Sequence, residues 1–209
     1  IDFTSGIFVA NVGHGNSAVT AAIKHAAPMP HTYTFPTAIR LEYLNRLTSW
    51  TGFDKAFLVS SGTEATEAAR MLMLMYGEKH GRNRVVSIKG SFHGRTLGAT
   101  TMLPQISESS MVHLHSEVAG VMVESYQGWS ARFHDHDWIT KIWYWCRTFD
   151  IPLCFDEIQS GFGRTGKKFG YEHYGVQPDL ICVGKGMGNG VPLSGVLGRA
   201  DIMDLPEVG

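Results

Sequence analysis

The chain has almost no excess of charge of either sign: 18 Lys and Arg stand against 19 Asp and Glu, for a formal net charge of -1. That balance offers no broad cationic field to a nucleic-acid backbone or an anionic bilayer, so neither is expected as a partner. Long apolar runs are lacking too. None approaches the ~20 residues a membrane helix needs, and no charged-then-apolar leader opens the sequence, so no membrane span or signal peptide is expected. Cysteine is scarce: Cys146, Cys154 and Cys182 are odd in number, lack metal-ligand spacing and sit in or beside apolar runs. Buried free thiols in a reducing cytoplasm are the expectation. A metal set is missing as well. His134, Asp135, His136 and Asp137 crowd one polar stretch ahead of the helical pattern ITKIWYWC, with no distant partner of fitting type, and read as a solvated turn. Internal repeats, low-complexity tracts and linkers are absent.

What is present is ample for a core: 209 residues, 44% hydrophobic and 11% aromatic, enough for one large domain or two small ones. Short β-type runs alternate with helical patterns, which predicts an α/β fold with a mostly parallel sheet flanked by helices. IRLEYLNRLTSWTG spaces Leu41, Leu44, Leu47 and Trp50 as a helix that stops at Gly52. KAFLVS, RVVSI, AGVMVES, IPLCFDE and DLICVG read as strands. Ligands in such sheets gather beyond the carboxyl ends of strands, and there the sequence places its unusual residues.

Four stretches carry chemistry. In VSSGTEATEAA, Ser61 and Glu64 fit a capping box, Gly62 allows a tight turn and Thr63 adds a hydroxyl at a helix start suited to phosphate; an ordinary capped helix is the alternative. SFHGRTLG sets Phe92 to stack on a flat ligand and Arg95 to grip a carboxylate, with His93 between them; His93 packed and Arg95 solvated is the plainer reading. LCFDEIQSGFGRTG ends a buried strand in Asp156 and Glu157 and runs into Gly161, Gly163 and Gly166. Those glycines match the dinucleotide fingerprint, so a nicotinamide- or flavin-dependent oxidoreductase is the rival class. However, KKFGYEHYGVQPD shows no helical period and the acids precede the glycines. Finally, DLICVGKGMGNGVPLSG holds Lys185 just beyond an apolar strand, where low-dielectric walls favour the neutral, imine-forming amine over a plain loop lysine in water.

A phosphate cradle, a stacking aromatic, a buried acid and such a lysine are together what pyridoxal 5'-phosphate (PLP) requires, since its pyridine nitrogen works as an electron sink only while a carboxylate keeps it protonated. Asp156 is the candidate partner of that nitrogen. Ile158, two residues on and so on the same strand face, is expected flat against the ring, with Gln159 reaching its phenolic oxygen.

The same motifs, in order through SGIFVANVGHGN, FLVSSGTEATEAA, SFHGRTLGA, AGVMVESYQG, LCFDEIQSGFGRTG and PDLICVGKGMGNGVPLSG, resemble a class III, or omega-type, aminotransferase of PLP fold type I over essentially the whole chain. The 29 residues from Asp156 to Lys185 are similar to that family's spacing. The resemblance implies that Lys185 carries the cofactor and moves the proton, that Gly62 and Thr63 hold the phosphate, that Phe92 stacks with His93 beside it, and that Glu124 is an acid near the cofactor. It implies transfer of an amino group from an amine or omega-amino acid to a keto acid or aldehyde, with Arg95 receiving a carboxylate and Ile7, Phe8 and Trp129 lining the pocket. A racemase, decarboxylase or aminomutase reaction on the same scaffold is the alternative. It also implies a homodimer, a rim segment at 1–36 and a PLP-binding large domain at 37–209.

The sequence departs from the family in three places. Trp129 stands where many glutamate-using relatives carry a second acid. Only 29 residues separate Gly94 from Glu124, fewer than in the family. The chain opens on Ile1 and ends at Gly209 before the C-terminal small domain, so it reads as cut at both ends.

Overall fold

A computed structural model describes residues 1–29, 35–100 and 105–206. Its frame is a seven-stranded sheet of β1 (Lys55–Val59), β2 (Arg84–Ile88), β3 (Gln105–Ile106), β4 (Val118–Glu124), β7 (Leu153–Asp156), β8 (Leu180–Val183) and β9 (Ser194–Gly198), in the order β1-β9-β8-β7-β4-β2-β3. A separate two-stranded ribbon pairs β5 (Tyr126–Gln127) with β6 (Arg132–Phe133). Within the seven-stranded sheet β9 runs antiparallel to both its neighbours and the other pairings are parallel, while the ribbon is antiparallel. The expected strands therefore form, and the antiparallel SGVLG strand is added to them.

Every residue of β4, β7 and β8 is buried. Helices or loops cover both faces of these strands, which is why they read as continuous apolar runs with no polar alternation. Alternation survives in which face each residue enters. Val121, Val123, Leu153, Phe155, Ile181 and Val183 join one core layer, packed with Ile139, Ile142, Tyr171 and Tyr174. Met122, Cys154, Leu180 and Cys182 join the other, against Ala65, Ala69 and Met73 of the helix Gly62–Glu78. Asp156 has the parity of Cys154 and faces that helix; Glu157 has the parity of Phe155 and enters the opposite layer.

The helix Gly62–Glu78 starts as its sequence predicts. The Ser61 hydroxyl accepts from Glu64 N, and Glu64 Oε2 accepts from Ser61 N at 2.7 Å. The helix Ala38–Thr51 ends at Gly52 in the left-handed region, as expected, but of its apolar stripe only Leu47 is buried, and Leu41 and Trp50 are exposed. Trp50 still packs against Phe162 and Phe169, with Lys168 Nζ over its ring. In FHDHDW, Asp135 accepts from Trp138 N at 2.9 Å and caps the helix His136–Thr148, so His136 and Asp137 belong to its first turn instead of preceding it. All three cysteines are free and buried. Among the described residues no helix is long and apolar enough to cross a membrane.

Candidate active site

A cavity of about 350 Å³ opens at the carboxyl edge of the sheet, lined by Gly62, Thr63, Phe92, His93, Gly94, Arg95, Glu124, Asp156, Ile158, Gln159 and Lys185. β1 delivers the start of the helix Gly62–Glu78, whose first-turn N–H groups have no acceptor within the helix and form a natural anion cradle. β2 delivers Phe92, His93 and Arg95; β4 and β7 end in Glu124 and Asp156, paired in register; β8 delivers Lys185.

Asp156 is 5% exposed, and its two oxygens are used differently. Oδ2 lies 2.8 Å from His93 Nδ1, with both side chains buried, while Oδ1 accepts from Ile158 N at 3.1 Å. That second bond changes the reason Ile158 reaches the cavity. β7 stops at Asp156, so Ile158 arrives through a turn folded back onto the aspartate and not by strand alternation. Glu124 fastens the opposite wall: Oε2 accepts from Phe92 N at 2.9 Å and Oε1 from Gly128 N at 3.2 Å. Burial raises the Glu124 carboxyl above its ordinary range, and the charge of Asp156 adds to the rise.

Lys185 sits at φ +45°, a left-handed conformation that side chains rarely adopt, at the head of a short 3-10 turn. Its Nζ donates to Gln159 Oε1 and lies 5.7 Å from the centroid of the Phe8 ring. Burial pulls its proton affinity below that of an ordinary lysine; Asp156 and Glu124 oppose the fall and Arg164 adds to it. Thr63 Oγ1 bonds Thr96 Oγ1 at 2.8 Å. Gly94 lies beside that pair at φ +127°, where a Cβ would sit 2.3 Å from Thr63 Oγ1, so the phosphate-facing turn and the FHG turn interlock only through a glycine.

The structure thus gathers Gly62, Thr63, Phe92, His93, Arg95, Glu124, Asp156, Ile158, Gln159 and Lys185 in one place. Phe92 is 55% exposed at the mouth, and Arg95 is exposed beside it. Phe8 is drawn in over Lys185. Ile7, 69% exposed, and Trp129, 85% exposed, stand outside the lining of the cavity among the described residues. The donor set fits a phosphorylated pyridine: backbone N–H groups at one end, a buried carboxylate at the other, and an amine of lowered proton affinity between apolar walls.

Four further residues contribute in ways the sequence motifs do not announce. Thr96 is hydrogen-bonded to Thr63, a contact across 33 residues that local pattern does not reveal. Asn11 and Arg164 meet across 153 residues. Glu157 is fully buried on the far side of the sheet and accepts from Gly170 N, Tyr171 N and Ser160 Oγ at 2.7–2.8 Å. Its position beside Asp156, with opposite parity, was the available signal. The glycines of GFGRTG form turns followed by a short 3-10 helix, Gly170–Tyr174, so no α-helix begins within them to receive a pyrophosphate.

The profile of the family described as aminotransferase class-III matches residues 1–111 and 100–209. An acetylornithine aminotransferase of Aquifex aeolicus is 31% identical, with 97% of this chain and 61% of that enzyme aligned. One from Methanocaldococcus jannaschii is 34% identical, over 97% of this chain and 57% of its own length. The ornithine aminotransferase of Toxoplasma gondii, in a structure described with partial occupancy of PLP at the active site, superposes with a TM-score of 0.88 at 25% identity, covering 100% of this chain and 56% of that one. The chain spans about three fifths of the length of the curated relatives it matches. It belongs to the class-III aminotransferase family.

Proposed function

We propose that this class-III aminotransferase chain carries the large-domain part of a PLP site and moves an amino group from an amine or omega-amino acid donor to a keto acid or aldehyde acceptor. The observation that carries the reading is the convergence of Lys185, the Asp156–His93 pair and a helix N-terminus on one cavity. PLP, when bound, supplies the electron sink for the chemistry at the substrate's amine-bearing carbon.

The chain's own residues supply the rest. Gly62 and Thr63 present N–H groups to the phosphate, while Ile158 and Phe92 offer apolar faces to the ring. Asp156, fixed by His93 and by Ile158 N, holds a proton on the ring nitrogen. Gln159 is placed for the phenolic oxygen. Lys185, its amine partly shielded from water, is the attachment point and then the base that moves the proton from the substrate carbon. Glu124 fixes the backbone at Phe92 and Gly128. Arg95, exposed at the mouth, is offered to a substrate carboxylate, and Ile7, Phe8 and Trp129 form the outer rim.

Residues 1–36 serve as that rim and 37–209 as the cofactor-binding large domain. The working unit is a homodimer in the cytoplasm, a reading supported by the exposed apolar side chains of the helix Ala38–Thr51 and by three free, buried thiols. Replacing Lys185 by Ala in the full-length protein and following transamination between an amine and pyruvate tests the assignment. Turnover is expected to vanish while the fold persists, and near-parent turnover would refute it.

A further inference from the structure

The segment ahead of the first described long helix is clipped over Lys185 from two sides. Asn11 Nδ2 donates to Phe162 O at 3.0 Å, and its Oδ1 accepts from Arg164 Nη2, so one amide holds two residues of the GFGR turn. On the other side Asn189 Oδ1 accepts from Val12 N at 3.1 Å, and its Nδ2 donates to Gly13 O at 3.2 Å. Asn11 also packs on the residue after Lys185: a Cβ on Gly186 would lie 2.2 Å from Asn11 Nδ2. Just ahead of the clips Phe8, its N–H donating to Thr4 O at 2.7 Å, is held at φ +65°, a conformation that costs about 1–3 kcal/mol and persists only where its surroundings enforce it.

Two basic side chains lie against the Phe8 ring. Arg164 Cζ lies 5.9 Å from its centroid and Lys185 Nζ 5.7 Å. Arg164 is part-buried, forms no ion pair with a carboxylate among the described residues, and leaves its buried Nε without a partner. A guanidinium that has given up water without gaining an anion is unfavourable in itself, so its retention here calls for a compensating role.

We propose that Arg164, held by Asn11, is a positioning residue that fixes Phe8 as a cover over the Lys185 amine and repels a proton from that amine. The inference rests on the reading of Lys185 as the attachment point. The charged groups facing the lysine are Asp156 from β7 and Glu124 from β4, both of which attract a proton, and Arg164, which opposes them; Gln159 is its neutral hydrogen-bond partner. A neutral amine is what attachment requires. With two carboxylates nearby, burial alone works against an electrostatic pull toward the charged form, and the guanidinium offsets part of that pull.

The test is the pH dependence of Lys185 acetylation by acetic anhydride in the full chain without added cofactor, counted by peptide mass spectrometry against exposed Lys24. Arg164→Gln is expected to move the midpoint upward and slow Lys185 several-fold at neutral pH, while Arg164→Lys stays near the parent. A Gln midpoint that coincides with a lowered parent midpoint overturns the proposal and leaves the reading of Lys185 intact. A Lys variant displaced as far as the Gln variant overturns the role of charge. A parent midpoint in the ordinary lysine range overturns both the proposal and the buried-amine reading. Should Arg164→Gln lose its circular-dichroism signature, Asn11→Ala decides: with the cover loosened, the acetylation rate at the alkaline plateau rises several-fold, and an unchanged plateau refutes the clip.

Discussion

Replacing Glu157 by Gln should change how the stability of the fold responds to pH. The carboxyl is fully buried, and burial raises it from an ordinary 4.5 to about 7, with the donors Ser160, Gly170 and Tyr171 restraining the rise. Because the folded state holds this proton more tightly than the unfolded chain, the group contributes most below about pH 4.5, and that contribution is lost as pH rises toward 7. At ~1.4 kcal/mol per pH unit the interval is worth about 3 kcal/mol. Glutamine cannot titrate. It keeps the acceptor for Tyr171 N but turns an amide toward Gly170 N, a loss of about 1–3 kcal/mol that does not depend on pH. Urea unfolding of parent and variant between about pH 5 and about pH 8 separates the two effects. The variant should gain on the parent by about 2–3 kcal/mol as pH rises across that range. Parallel curves would refute the argument, because they would mean that Glu157 is ionised in the folded protein throughout.

Asp156→Asn in the full-length protein should bind cofactor yet lose about a hundredfold or more in kcat, since breaking a buried charge pair costs about 3–5 kcal/mol and each ~1.4 kcal/mol is tenfold; parent-like kcat would exclude the assigned role. Arg95→Ala should raise KM far more for a carboxylate-bearing substrate than for a simple primary amine, and equal effects on both would remove Arg95 from recognition. Gly94→Ala forces a Cβ to within 2.3 Å of Thr63 Oγ1 at a left-handed φ, so a loss of about 2–4 kcal/mol is expected from overpacking and backbone strain together. Thermal melting reads it, and an unshifted melt would show that the turn has room.

The parts of the fold that were legible from sequence are those encoded locally. Ser61 and Glu64 announce the helix start three residues apart, and the fully buried β4, β7 and β8 announce themselves as unbroken apolar runs. That these candidate residues gather at one cavity was legible because most stand at or a few residues beyond a strand end, which topology carries to one edge. What was not legible depends on distance in the chain. The Asn11–Arg164 contact spans 153 residues, and no periodicity reports it. Ile158 was placed by strand alternation, yet it arrives by a turn, because β7 ends at Asp156, two residues short of it. The exposure of Leu41 and Trp50 was hidden for a different reason: helical spacing shows which side of a helix is apolar, not whether anything covers it.

Lys185 is proposed as the point at which the chain takes up its cofactor. Incubating the full-length protein with PLP, reducing with borohydride and mapping the modified peptides by mass spectrometry tests it directly. A single phosphopyridoxyl group is expected on Lys185, formed at cofactor concentrations where exposed lysines stay unmodified and abolished in Lys185→Ala. Label spread over surface lysines such as Lys24 and Lys79, with Lys185 unmodified, would contradict it.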